Sequence, residues 1–511
     1  MASSLKGSRA IVLGLGRFGG GLGVARWLLD QGVELLVTDL AERESLGAAA
    51  DELAERGAEL LLGSHAGVDV TAADLLVLNP AVPRQAPLVL EALAAGVTVT
   101  SEVGLLMQRW PGPIVGVTGS NGKSTTVSLT RAVLEAAGLP ALAGGNLGGS
   151  LLDRLAGASA ETVAVLELSS FMLETLAHLG LGPDVAVITN ITPNHLDRHG
   201  SFEDYRDAKA AVMAAAHTLV LNADDEVVVA LPRPAAATTL WFGDAPPAGA
   251  PARGPKPLPD LGVDARGDLR DSALGLVLTS AAMPLPGRMN RLDLAAATLA
   301  AGALLEDPSR AREALPKALE GISLPPHRLE LVAVRGGVHW VDDSVSTTPE
   351  STAASLAALA DTSGALAVAA REAGELLSNA AAGAEDDSDS GEVVGGELRA
   401  TGRCVLIAGG HDKGLDPGQL VTAAARHTRL VLTIGEQGAR LGQLLTAAGV
   451  AWRPAGTLGK AVALAADWAR KGDHVLLSPG YSSHDQFVHF AARGQAFRDA
   501  VAALPDLETL S

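Results

Sequence analysis

Val115-Gly116-Val117-Thr118-Gly119-Ser120-Asn121-Gly122-Lys123-Ser124-Thr125 runs from an apolar strand through a glycine-rich turn into a helix start. Residues of these types at this spacing make a phosphate cradle. Backbone N–H groups of the turn and the positive end of a helix solvate phosphate oxygens, Lys123 adds a point charge, and Ser124 offers a hydroxyl to Mg²⁺. Thr118, Gly119, Ser120, Asn121, Gly122 and Thr125 complete the loop. Strict Walker spacing places glycine at 117, where this chain has Val117, so the loop is the variant Thr-Gly-x-x-Gly-Lys-Ser-Thr form. Residues 113–117 read as a buried strand. Val127, Thr130, Leu134 and Ala137 recur at helical spacing after the loop.

Further clusters carry chemistry. Glu167-Leu168-Ser169-Ser170-Phe171 and Asn190-Ile191-Thr192-Pro193-Asn194-His195-Leu196-Asp197-Arg198-His199 each follow a predicted strand, 162–168 and 184–190 respectively. Open α/β sheets place ligands at such carboxyl ends. Tyr205-Arg206-Asp207-Ala208-Lys209 lies farther along, on a predicted helix. Toward the C-terminus come Val341-Asp342-Asp343-Ser344, Gly409-Gly410-His411-Asp412-Lys413-Gly414 and Ser478-Pro479-Gly480-Tyr481-Ser482-Ser483-His484-Asp485-Gln486-Phe487. Near the N-terminus, Gly14-Leu15-Gly16-Arg17-Phe18-Gly19 has the G-x-G-x-x-G form of a Rossmann turn, and Asp39 ends the next strand, placed for a ribose hydroxyl. Two phosphate-type loops point to two nucleotide ligands. An NAD-dependent dehydrogenase built on the first loop is the rival reading.

The elements that must position these residues follow from composition and periodicity. A chain of 511 residues is too long for one core and suggests about three domains. With 48% hydrophobic residues, 58 glycines and only 3% aromatics, it suits an α/β protein with tight strand-to-helix turns. The boundaries read as a Rossmann-like domain over 1–111, a central phosphate-loop domain with a mostly parallel sheet over 112–324, and a Rossmann-like α/β domain over 325–511. The 218–222 stretch is a further central strand, and 405–408, 430–433 and 474–477 are strands of the last domain. The Pro/Ala-rich run from Gly243 to about Pro259 reads as a loop, Pro325-Pro326-His327-Arg328 as a hinge, and about 366–400 as a solvated low-complexity insertion. A net charge of −19 without a basic stripe argues against nucleic acid. The lone Cys404 sits in an apolar run and reads as a buried strand thiol. The opening residues lack a signal-peptide core and no run of eighteen apolar residues occurs, so a cytoplasmic monomer without membrane insertion is expected.

In these residues the chain resembles the Mur ligases, in their glutamate-adding branch. The resemblance rests on residues 118–125, Glu167 to Phe171, His195-Leu196-Asp197-Arg198, Leu285-Pro286-Gly287 with Asn290, His327-Arg328, Asp343-Ser344, and Ser478-Pro479 with Asp485-Gln486-Phe487, in the family's order. It implies ATP-dependent transfer of a phosphoryl group to the carboxylate of UDP-N-acetylmuramoyl-L-alanine, then attack of the glutamate amine on the acyl phosphate. D-glutamate is the expected form, with L-glutamate or another Mur-type amino acid as the alternative. By the same resemblance, Lys123 neutralises the β/γ-phosphates and Ser124 and Glu167 hold one Mg²⁺. His195 and a carbamate on Lys209 hold a second. Asn290, Arg328 and Asp343 contact ATP. Leu15, Gly16, Arg17, Phe18, Asp39 and Asn146 contact the uridine substrate, and Thr347, Lys413, Ser483 and Phe490 the glutamate. Departures from the family pattern are Val345 at a usual lysine, Met289 at a histidine, Asp293 at an asparagine, Met172 at a glutamine, and the Gly480-Tyr481 turn. Val345 motivates a third reading, a non-enzymatic scaffold that binds nucleotide without turnover.

Overall fold

The computed structural model describes residues 4–504 apart from 17–18, 247–255, 284, 286, 321, 323–325 and 361–403. The low-complexity insertion at about 366–400, Arg17, Phe18, part of the 243–259 loop and Pro325 of the hinge therefore lie outside the described residues. Three sheets organise the rest.

The first sheet holds β1 (Arg9–Leu13), β2 (Glu34–Asp39), β3 (Glu59–Leu62), β4 (Leu75–Leu78) and β5 (Thr98–Ser101), in the order β3-β2-β1-β4-β5 with parallel pairings throughout. The order reverses at β1. The Gly14–Gly19 turn therefore opens at the switch point of a doubly wound sheet.

The second sheet comprises β6 (Ile114–Thr118), β7 (Ala141–Gly145), β8 (Val163–Glu167), β9 (Val185–Ile188), β10 (Thr218–Asn222), β11 (Thr238–Asp244), β12 (Leu261–Val263), β13 (Leu269–Asp271) and β14 (Gly275–Leu278). Its order is β14-β13-β12-β11-β10-β9-β6-β8-β7, parallel except at β12–β13 and β13–β14. The phosphate loop leaves β6, an interior strand flanked by β8 and β9, whose carboxyl ends carry Glu167 and the Asn190–His199 stretch. β8 and β9 end at Glu167 and Ile188, short of the predicted 168 and 190. Thr189 and Asn190 leave the strand because their side chains bond the Asn121 carbonyl, at 2.5 and 3.0 Å. Helix Lys123–Ala136 packs on the sheet beside helix Gly287–Gly302, and Val127, Thr130, Leu134 and the capping Ala137 are all buried.

The third sheet holds β15 (Glu330–Arg335), β16 (Val338–Asp342), β17 (Cys404–Gly409), β18 (Thr428–Ile434), β19 (Trp452–Gly456) and β20 (His474–Leu477), in the order β15-β16-β20-β17-β18-β19, with only β15–β16 antiparallel. Cys404 is buried at the start of β17, and burial pushes its thiol pKa up. Separate apolar clusters fill the two faces of the third sheet. Among the described residues no helix is long and apolar enough to cross a membrane.

Candidate active site

The phosphate loop is tied from one side by the segment after β9. Ser120 N–H donates to the Asn190 carbonyl at 2.8 Å and Asn121 N–H to Asn190 Oδ1 at 2.9 Å. Ser120 Oγ meets the Thr192 carbonyl at 2.9 Å and the Tyr205 hydroxyl at 3.0 Å. A side chain on Gly122 (φ 85°) would run into the Asp293 carboxyl, so only glycine lets the helix start this close to its neighbour. These bonds set the cradle before any ligand arrives.

Both candidate lysines converge on one carbonyl. Lys123 Nζ donates to Gly119 O and Ser120 O, each at 3.0 Å, and Lys209 Nζ donates to Gly119 O at 2.7 Å. Lys209 is 2% exposed, with its Nζ 4.7 Å from the centre of the Tyr205 ring. Burial, and then the charge of Lys123, hold the Lys209 amine well below the usual lysine range. Lys123 is lowered mainly by burial and further by Arg328, with Glu167 and Asp293 opposing. Glu167 is the carboxylate shared by this cluster. Its Oε2 accepts from Ser124 Oγ at 2.6 Å and its Oε1 from Asn146 Nδ2 at 2.8 Å. A serine hydroxyl beside a carboxylate, next to phosphate-binding amides, is the hard-oxygen donor set that Mg²⁺ takes, so these residues fit the implied ion.

His195 (φ 53°) starts the short helix Leu196–His199, and its ring meets Phe171 edge-on at 5.2 Å. His199 stacks on Phe171 at 5.3 Å and bonds Ser170 Oγ through Nε2 at 2.9 Å. Arg198 lies 4.5 Å from the Phe171 ring centre and donates to the Ala81 carbonyl at 2.8 Å, tying the second sheet's ligand edge to the loop after β4.

A cavity of about 500 Å³ lies between the first and second sheets, lined among others by Leu15, Gly16, Glu102, Asn146, Phe171 and Arg198. Asp39 supports its floor: Oδ2 accepts from Leu15 N–H at 2.7 Å and Oδ1 from Ala41 N–H at 2.8 Å, so the carboxylate braces the turn itself.

A second cavity, about 390 Å³, lies between the phosphate loop and the third sheet and includes Asn290, Asp293, Arg328 and Asp343. Arg328 Nε is buried without a hydrogen-bond partner, a donor suited to an anionic or carbonyl ligand. Asp343 Oδ2 accepts from Ser355 and Ser478 hydroxyls, each at 2.7 Å, and burial raises its pKa despite those bonds and the nearby Arg328. Burial likewise pushes the Asp293 carboxyl up to about 7, against the pull of Arg328, a Thr126 bond and Lys123. Ser351 Oγ bonds Asn121 Oδ1 at 2.8 Å and closes the third unit onto the loop.

Lys413 Nζ lies 3.3 Å from Thr347 Oγ1. A bridge between His411 and Ser482, with N–H to carbonyl distances of 2.9 and 3.2 Å, sets Ser483 beside the Lys413 loop. Phe490 stands at the other side of this end, its carbonyl bonded to Ser344 Oγ at 2.8 Å and its ring 6.2 Å from His327. Val345 N–H bonds the His327 carbonyl at 3.2 Å.

Sequence reading missed three contributors. Arg493 is 1% exposed and donates to Ser344 Oγ, Ser344 O and Tyr481 O at 3.0 to 3.1 Å, clamping the strand-end loops that carry Thr347 and Ser483. Burial lowers its pKa to about 10. Ser351 and Glu102 were equally silent. None of the three stands in a motif, and their partners lie in distant segments.

A phosphate loop on an interior strand, a carboxylate on the neighbouring strand and two further α/β units closing over it define a nucleotide-dependent α/β enzyme of three units. The Mur ligase middle domain model matches residues 117–301, and the Mur ligase MurD-like N-terminal domain model matches residues 8–101. A UDP-N-acetylmuramoylalanine–D-glutamate ligase of Roseiflexus sp. (strain RS-1) is 36% identical over 515 aligned residues, covering 97% of this chain and 99% of the relative. One of Symbiobacterium thermophilum is 33% identical, covering 97% and 98%. The chain therefore belongs to the Mur ligase family of ATP-dependent ligases, and these relatives carry the name of its D-glutamate-adding member. Among solved structures, a UDP-N-acetylmuramate–alanine ligase from Thermotoga maritima aligns with a TM-score of 0.57 at 16% identity over 96% of this chain and 98% of its own, and a pseudomurein peptide ligase type C from Methanothermus fervidus with 0.54 at 18% over 97% and 99%. These two share the fold.

Proposed function

We propose that this protein joins D-glutamate to UDP-N-acetylmuramoyl-L-alanine with ATP, releasing ADP and phosphate, in peptidoglycan precursor synthesis. The observation that carries the reading is the match to D-glutamate ligases along 97% of the chain. The three units are taken as domains at 1–111, 112–324 and 325–511, acting as a cytoplasmic monomer on small-molecule substrates.

ATP fits with its phosphates on residues 119–125 and its base toward Asn290, Arg328 and Asp343. Lys123 leaves the Gly119 and Ser120 carbonyls for the β/γ-phosphates. The uridine substrate lies along Leu15, Gly16 and Asn146, with Arg17 and Phe18 assigned here by family resemblance. Asp39 braces that turn. Ser124 and Glu167 would hold one Mg²⁺, and His195 with Lys209 a second. Bound there, the two ions screen the repulsion between an anionic nucleotide and an anionic carboxylate. A lysine ligates a hard cation only as an anionic carbamate, since an ammonium offers no lone pair. The depressed Lys209 amine is the form that takes up CO₂. Lys413, Thr347 and Ser483, with the Phe490 region, hold the glutamate carboxylates so that its amine faces the acyl phosphate. Mass spectrometry of a reaction with Mg-ATP, UDP-N-acetylmuramoyl-L-alanine and D-glutamate tests the reading: a product heavier by one glutamyl unit is expected, and its absence at saturating substrates overturns it.

A further inference from the structure

Glu102 is the first residue of a short helix after β5 and lies in the wall of the cavity between the first and second sheets. Across the cavity mouth its Oε1 accepts a hydrogen bond from Ser150 Oγ at 2.5 Å. Ser150 Oγ also accepts from Leu152 N–H at 3.2 Å, so its single proton is committed to Glu102. Gly23, on the first helix, approaches Ser150 so closely that a side chain there would overlap the Ser150 Cβ. Ser150 is thus seated between two elements of the N-terminal unit, although it belongs to the loop that follows β7.

The other end of that loop is Asn146. Its backbone N–H donates to the Glu167 carbonyl at 2.9 Å and its Nδ2 to Glu167 Oε1 at 2.8 Å. The remaining oxygen, Oε2, accepts from Ser124 at 2.6 Å. Contacts at Ser150 and at Asn146, joined by the backbone of residues 147–149, therefore link the wall of the first cavity to the carboxylate beside the phosphate loop. We propose that Glu102 is a positioning residue: through Ser150 it seats residues 146–150, and through Asn146 that loop fixes the orientation in which Glu167 meets Mg²⁺ and Ser124, coupling the uridine-side cleft to the metal site. The inference rests on the assignment of Glu167 to the metal and of the first cavity to the uridine substrate.

The charges around Glu102 give the coupling a proton dependence. Burial and the neighbouring Asp153 push its carboxyl up to about 7, against the Ser150 bond. Arg26, on the helix Gly20–Asp30, acts on Glu52 and Asp153, while Glu174 and His178 on the helix Ser170–Leu179 answer to Arg84 and Arg198. Asp153 is the charged group that acts on Glu102. Losing the proton turns the Ser150 bond into a charge-assisted one, an effect larger than the repulsion from Asp153, so the seat tightens above neutral pH.

Full-length Glu102→Ala, Glu102→Gln and Ser150→Ala proteins test this. The first readout is the Mg²⁺ concentration needed for ATP binding by the free enzyme, measured by calorimetry without uridine substrate. Glu102→Ala and Ser150→Ala are expected to raise it about tenfold, the low end of the effect of losing an outer-shell partner. Glu102→Gln, which still accepts the serine proton, should restore most of it. The second readout is KM for the uridine substrate, which should fall from pH 6 to pH 8 in the parent and stay level in Glu102→Gln. An unchanged Mg²⁺ requirement in both alanine variants overturns the coupling, as does a rise in KM alone. If Glu102→Ala does not fold, the other two variants carry the same decision. A parent that binds Mg-ATP but forms no glutamylated product overturns the functional reading and leaves the calorimetric outcome to judge the coupling.

Discussion

Lys123, Lys209 and Glu167 form a cluster in which Glu167 favours the charged form of both lysines and Lys123 disfavours that of Lys209. Two amines meet at the Gly119 carbonyl and one carboxylate acts on both. Lys123→Ala should lower kcat by on the order of 10²–10³-fold, because charge developing in the transition state loses its nearest fixed cation. ADP release within threefold of the parent would remove Lys123 from the phosphate site. Lys209→Ala should be nearly inactive and regain part of its rate when a short carboxylic acid is supplied in excess, since the acid returns oxygen ligands. Full activity without the acid would exclude the carbamate. Asp293 makes a prediction about stability. Its folded pKa of about 7 lies above the ordinary 3.8, so the folded chain keeps a proton that the unfolded chain releases. Stability from this group is present in full below about pH 4 and is lost as pH rises through 7. Asp293→Asn should therefore unfold at a higher temperature than the parent at pH 8, by up to about 4 kcal/mol, and lose that advantage toward pH 4. Thermal melts at the two pH values decide the sign.

Between elements, the site depends on strand-end loops gripping one another. Arg198 is the clearest case at the first cleft: its guanidinium covers Phe171 and bonds the carbonyl of Ala81, in the loop after β4. Arg198→Ala should loosen the N-terminal unit over the central one and raise KM for the uridine substrate while leaving KM for glutamate near the parent value. The stability cost should be about 1–3 kcal/mol, the range for a charged hydrogen bond. Steady-state kinetics with each substrate varied separately would show whether the effect stays on the uridine side. At the third sheet, the helix Phe490–Ala502 starts from His489, whose Nδ1 accepts from Ala492 N–H at 3.0 Å, and its Arg493 reaches back to Ser344 and Tyr481. One capped helix thereby orders the loops after both β16 and β20.

On the scale of the whole molecule, the residues proposed for the site come from three units. Ser351 bonding Asn121 ties the third unit to the phosphate loop, and Arg198 bonding Ala81 ties the central unit to the first. Enantiomer choice belongs to this scale, because the residues proposed to hold glutamate come from loops after β16, β17 and β20. The D and L forms present the same amine and carboxylates, so discrimination rests on simultaneous placement by Lys413, Thr347 and Ser483. A site of fixed polar contacts rejects a misplaced partner by leaving buried groups unpaired. Parallel kinetics with pure enantiomers should give a higher kcat/KM for D-glutamate, and a preference for the L form would overturn the choice of enantiomer while leaving the ligase reading intact.

The phosphate loop, the buried strand leading into it and the inner face of its helix were legible from residues 113–137 alone, because a strand, a tight turn and a helix start are decided by neighbours in sequence. The three α/β units were legible in the same way, from strands and helices alternating along the chain, and motif order pointed to the family. What local sequence left open were relations between segments far apart. Nothing around Asn146 indicates that it holds Glu167, and nothing around Asp39 indicates that its carboxylate braces the Leu15 turn. Arg493 reads as one more helix-surface charge until folding buries it against Ser344 and Tyr481. Beyond the strand end at Ile188, the Thr189 and Asn190 side chains likewise bond the Asn121 carbonyl, a partner far away in sequence. Local pattern reports which backbone shape a segment prefers. Which buried polar groups satisfy one another, and hence which pKa values move, is decided by the packing of distant segments in the tertiary structure.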